Sequence, residues 1–138
     1  MKIATRLSVL ALLIAGVGVS VHAQPDETIS RVPFAFTVGS TSMPRDTYRI
    51  TRFAGRSAFM IQSDRHAVVM MATPEGREDN QTPRLVFHRY GDSYFLREIR
   101  MADNSGFELP ASRDERQAAA RLAGLSAPEI VVVQTQGQ

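Results

Sequence analysis

The chain has 138 residues, 16 basic and 14 acidic side chains, no cysteine and no tryptophan. Without cysteine it has neither a disulfide framework nor the N-terminal cysteine of a lipoprotein anchor, so its core alone must hold it. The sequence pI near 9.5 suggests a basic protein, but two of the basic residues belong to the N-terminal segment.

That segment opens with Lys2 and Arg6 and no acid, runs through apolar and small residues from Leu7 to Val21, and ends in Val21-His22-Ala23. Basic start, apolar middle and small-residue cut site are the order of a secretory signal. The run is shorter than the roughly 20 apolar residues a membrane span needs. We therefore expect cleavage after Ala23 and export to the periplasm or the cell exterior. Loss of Lys2 and Arg6 leaves 14 basic residues against 14 acidic, all the basic ones arginine. A neutral chain lacks the positive footprint of a nucleic-acid binder. No second apolar segment is long enough to span a membrane.

Residues 24–31 read as a loose polar leader, 32–134 as one β-rich domain and 135–138 as a tail. About 115 residues suit a single domain, which buries roughly two-thirds of its unfolded surface. Val32, Phe34, Phe36 and Val38 alternate with Pro33, Ala35 and Thr37, the period of a strand. Pro33 marks its start or an edge. Gly39 to Ser42 and Pro44-Arg45-Asp46 are turn material. Thr47 to Arg52 alternates again, with Tyr48 and Ile50 inward. Ser57–Ser63 and His66–Thr73 are apolar runs around Asp64-Arg65. Both runs are apolar on two sides, as central strands of a two-layer fold would be. Pro74 to Pro83 reads as a mobile polar loop.

Arg84–Tyr90, Gly91-Asp92 and Ser93–Met101 form the clearest hairpin, because a glycine-first two-residue loop suits a type II′ turn. Simple pairing across that turn sets Tyr90 opposite Ser93, His88 opposite Phe95, Val86 opposite Arg97 and Arg84 opposite Ile99. Neither face is cleanly polar, so both faces must be at least partly covered. The one helix spans 112–123. Ser112 and Glu115 have the spacing of a capping box, each bonding the other's amide, and Gly124 closes the far end. Its charged residues Arg113, Asp114, Glu115, Arg116 and Arg121 read as a solvated face. Glu129–Gln134 is a last strand. The fold expected is mainly β: an antiparallel meander of about seven strands, forming a small barrel or sandwich with one short C-terminal helix.

No chemistry is spelled out by spacing. Outside the signal only His66 and His88 remain, with no H-x-H or H-E-x-x-H pair. No G-x-S-x-G elbow or phosphate loop is present. We assign no catalytic, cofactor or metal residues. The candidate ligand or interface residues are His88, Arg89, Tyr90, Tyr94, Phe95 and Arg97, with cation–π contact expected between Arg89 and Tyr94 and between Arg97 and Phe95.

Several stretches carry a resemblance. They are Val32-Pro33-Phe34-Ala35-Phe36, Val38-Gly39, Met43-Pro44, Tyr48-Arg49-Ile50, Leu85 to Gly91, Tyr94-Phe95-Leu96 and Leu109 to Arg113. Together they resemble an uncharacterised family of small exported β-rich proteins common in acidobacteria. The resemblance implies an exported β domain and brings no activity with it. Where that family tends to have Pro-Ala-Gly before the tyrosine, this chain has Pro44-Arg45-Asp46.

The leading expectation is a non-catalytic exported interaction or assembly module, whose partner is a second copy or another exported protein. One alternative is a barrel binding a small apolar ligand among Phe59, Phe87, Tyr94 and Leu96. The other is a hydrolase using carboxylates near His88.

Overall fold

The computed structural model describes residues 26–77, 82–122 and 127–137; the segment read as a signal lies outside them. In chain order the first strands are β1 (Glu27–Val32), β2 (Phe36–Val38), β3 (Thr41–Met43), β4 (Asp46–Arg52), β5 (Ala58–Gln62) and β6 (Ala67–Met71). Then come β7 (Thr73–Glu75), β8 (Arg84–Tyr90), β9 (Ser93–Arg100), β10 (Gly106–Glu108), helix α1 (Arg113–Arg121), β11 (Glu129–Gln134) and β12 (Gln136–Gly137). The described residues are mainly β with a single short helix near the C-terminus. Seven strands have five residues or more and the others two or three, so the expected count fits the long strands alone.

Two sheets share one core. The first has the order β12-β1-β4-β5-β6, antiparallel throughout. The second has the order β11-β8-β9-β10-β7, and the β2–β3 hairpin joins β9 through a parallel contact at Thr37 and Phe95. At both margins the chain bends from one sheet into the other: at buried Ala72 between β6 and β7, and at buried Thr135 between β11 and β12. Such corners curl the second sheet into a half-barrel.

Inward residues from both sheets meet in aromatic pairs. Phe36 lies edge-on to Tyr48 at 5.2 Å and Phe59 edge-on to Phe107 at 4.8 Å. Tyr48, Phe59 and Phe87 are fully buried, and each such side chain contributes about 1.5–3 kcal/mol by leaving water. The Tyr48 hydroxyl donates to the Pro44 carbonyl, which ties down the turn before β4. That turn contains no left-handed residue, so Arg45 and Asp46 form it without a glycine.

Four expectations need correcting. The leader is not loose from residue 26 on: β1 pairs with β4 over six residues, and Thr28 and Ser30 point into the core. Its inward positions are hydroxyls rather than hydrocarbons, and Thr28 Oγ1 donates to Gln136 O at 3.0 Å. The tail is equally structured, because β12 pairs with β1. The strand expected over 32–38 breaks at Pro33, which has no N–H to continue β1; β2 then joins the other sheet. The loop begins later than expected, since Thr73–Glu75 pairs with β10.

The β8–β9 hairpin turns where expected, with Gly91 at φ +59° and Asp92 not left-handed. His88 faces Phe95 and Tyr90 faces Ser93. Beyond Phe87 the register shifts: Val86 faces Glu98 and Arg84 faces Arg100. Arg97 is the extra residue of a β-bulge. An inserted residue reverses the side-chain parity of the strand beyond it, and here it places Ile99 inward with Leu85 and Phe87.

Candidate functional site

The outer face of the β8–β9 hairpin carries Val86, His88, Tyr90 and Phe95, and α1 lies over it. The helix starts as expected: Ser112 is extended and its Oγ accepts from the Glu115 amide at 3.1 Å. Gly124 lies outside the described residues. The second half of the capping box is absent, because the Glu115 side chain turns away from Ser112 and is buried, 2% exposed, against the sheet. Glu115, Ala118, Ala119 and Leu122 form the covered stripe of α1 at helical spacing.

Three of the candidate residues converge on Glu115. Arg97 Nη1 donates to Glu115 Oε1 at 2.9 Å and the Tyr90 hydroxyl donates at 3.4 Å. His88 Nδ1 approaches the same oxygen at 3.3 Å but is not aligned as a hydrogen bond. Arg97 also donates through Nε to Leu109 O at 2.9 Å and through Nη2 to Glu108 at 3.1 Å. Its own carbonyl accepts from the Leu109 amide at 2.8 Å. The bulge residue therefore pins both the helix and the segment leading into it. Burial, then the charge and hydrogen bond of Glu115, hold the Tyr90 hydroxyl above its ordinary range, while Arg97 pulls the other way. Tyr90 stays a donor.

This arrangement neutralises a buried carboxylate and fixes a helix to a sheet. Glu115 is engaged by Arg97, and the Ser112 hydroxyl on the same turn is taken up as the cap. Among the described residues no group of three or more His, Asp or Glu stands where it would hold a metal ion.

The remaining candidates divide between the two faces. Phe95 is buried on the helix side, 6.0 Å from the Tyr90 ring. Arg89 and Tyr94 face the other way. Arg89 sits 5.4 Å over the Tyr94 ring, as expected, and reaches Glu129 at 3.2 Å. Tyr94 stacks on Phe34 at 3.9 Å. The contact expected between Arg97 and Phe95 gives way to the carboxylates. Glu115 does not belong to the solvated helix face expected of it; its position on the Ala118, Ala119 and Leu122 stripe is the sequence signal of its burial.

A second feature lies at the sheet margins. Among the described residues the large apolar side chains left exposed are Phe53, Val69, Met71, Ile130 and Val132. Val69 and Met71 belong to β6, the last strand of the first sheet, and Ile130 and Val132 to β11, the last strand of the second. The two-sided apolar pattern of residues 57–73 thus belongs partly to an edge, not to covered central strands. Phe53, Ala58, Val69 and Met71 line an open depression of about 670 Å³ on the outer face. Among the described residues no helix is long and apolar enough to cross a membrane.

The class these features define is a two-sheet β protein with a buried ion cluster and apolar sheet margins. Comparison with protein-family models, curated proteins and solved structures finds no match.

Proposed function

We propose that the chain is an exported, non-catalytic interaction or assembly module of the periplasm or cell exterior. One observation carries this reading: among the described residues, four of the five exposed large apolar side chains lie on two edge strands, β6 and β11, and the fifth, Phe53, lines a depression with Val69 and Met71. Edge strands offer unpaired N–H and C=O groups, and soluble proteins ordinarily guard them with charge, proline or bulges. A strand edge flanked by apolar side chains suits addition of a partner's strand. The Glu115 cluster supports the non-catalytic half, because its carboxylate is engaged by Arg97 and Tyr90. The ligand-barrel alternative is weakened by packing: Phe59, Phe87 and Tyr94 have aromatic partners in Phe107, Phe34 and Phe36.

Two measurements test the reading. The mass of the chain recovered after expression of the whole gene is expected to begin at Gln24; recovery of the intact chain from the cytoplasm would remove the export part. Light scattering across a concentration series, with pull-down from envelope extracts, tests the assembly part. A monomer throughout that retains no partner would overturn it.

A further inference from the structure

We infer that β6 is a self-pairing edge: two copies of the chain join antiparallel through Ala67–Met71 about a two-fold axis at Val69. This rests on the assembly reading and names its partner and surface.

The hydrogen bonds that bracket β6 fix the direction of its backbone. Ala72 N donates to Ser57 O at 2.7 Å and Ser63 N donates to His66 O at 2.8 Å, with an unbroken register between. Paired and unpaired residues alternate along an antiparallel ladder. Even-numbered residues of β6 therefore turn their N–H and C=O toward β5, and Ala67, Val69 and Met71 turn theirs outward. No described strand pairs with that outer side.

The strand reads Ala-Val-Val-Met-Met, without charge, proline or glycine. It carries neither the charge nor the proline that guards many edges, and no bulge interrupts its register with β5. Its outward residues are symmetric about Val69. Antiparallel pairing centred there sets Val69 against Val69 of the second copy and Ala67 against Met71, so every outward N–H and C=O of both strands is used. Neither copy brings a charge to the strand itself, so no like charges oppose each other across the pair. A closed two-fold pair of this kind is the commonest form of oligomer. A five-residue edge buries less than the roughly 1,200 Å² of a stable dimer. The dimer is therefore weak and concentration-dependent.

Sedimentation velocity of the purified chain, from micromolar to near-millimolar concentration, is expected to show a reversible monomer–dimer equilibrium. Val69→Lys, at a site 59% exposed, is expected to keep the melting temperature and weaken the dimer at least about tenfold, or 1.4 kcal/mol. The chain has no cysteine, so single cysteines report cleanly. Val69→Cys is expected to cross-link to itself with a short bismaleimide. Ala67→Cys is expected to cross-link with Met71→Cys in a mixture far faster than with itself. A dimer indifferent to Val69→Lys, or without these cross-links, overturns β6 pairing and leaves the assembly reading standing. So does a monomer that retains another exported protein. A monomer that retains nothing overturns both.

Discussion

At the scale of single residues, the Glu115 carboxylate is a charge buried almost completely, 2% exposed. Withdrawing a charge from water costs several kcal/mol unless a partner and hydrogen bonds offset it. Arg97 and Tyr90 supply them. Glu115→Gln keeps the shape but leaves Arg97 with only Glu108 and the Leu109 carbonyl. We expect a loss of about 3 kcal/mol, the low end for a broken buried pair, because Arg97 keeps Glu108. It would be read as a lower urea midpoint at unchanged slope. Glu115→Gln combined with Arg97→Met should recover part of that loss, since no charge is then stranded. The pH profile belongs to this scale as well. Burial, then Glu115, raises Tyr90 above its ordinary 10.0. Burial, then Asp46, does the same for Tyr48. A folded value above the unfolded one gives stability that is whole below pH 10 and lost as pH rises through the raised value. Asp103 runs the other way. Burial pushes it up, but the Ser105 hydroxyl and amide and then Arg52 outweigh that and hold it below 3.8. Its contribution is present above that pH and lost as pH falls through the lowered value. From these three groups urea midpoints should fall at both ends of the pH range. Tyr90→Phe should shrink the alkaline fall and leave the acid one.

At the scale of elements, what was legible in the sequence depended on whether local chemistry or tertiary partners decided the structure. Gly91-Asp92 and Ser112 act within a few residues of themselves, so the hairpin turn and the helix start were both readable. The bulge at Arg97 was not, because its partners, Leu109, Glu108 and Glu115, lie beyond the hairpin. The inward face of β1 was missed for a related reason. Thr28 and Ser30 look like surface residues until the C-terminal strand arrives to accept their hydroxyls. His88, Tyr90 and Arg97 were picked out as a group, but the carboxylate that unites them sits on another element. Gly39 offers a test at this scale. It opens the β2–β3 hairpin at φ +60°, and a Cβ there would meet the Met70 Sδ and Cε at 3.0 Å. Gly55 has a similar φ of +69° and open space around it. Gly55→Ala should cost about 1 kcal/mol from backbone strain alone. Gly39→Ala should cost more, because Met70 must also move. Equal losses in thermal or urea melts would mean that Met70 gives way freely.

At the scale of the whole molecule, the two sheets depend on chain that crosses between them, and the C-terminal crossing can be removed without deleting a residue of the hydrophobic core cluster. β11 pairs with β8 over six residues, the chain bends at Thr135, and β12 then pairs with β1 in the opposite sheet. Truncation after Gln134 deletes the bend and β12 but keeps β11. The damage it does is specific. Thr28 Oγ1, in a residue 1% exposed, loses its acceptor at Gln136 O. A buried hydroxyl without a partner costs about 1–3 kcal/mol, and the lost strand pair adds to it. The truncated chain should therefore unfold at distinctly lower urea. Thr28→Val then separates the two contributions. In the truncated chain it replaces an orphaned hydroxyl with a methyl of similar size and should restore part of the loss. In the full chain the same substitution removes a satisfied hydrogen bond and should destabilise. A sign reversal between the two backgrounds would locate the closure of the molecule at this contact. The same sign in both would mean that water reaches Thr28 once β12 is gone, and that the lost stability belongs to the β12–β1 strand pair rather than to this hydroxyl.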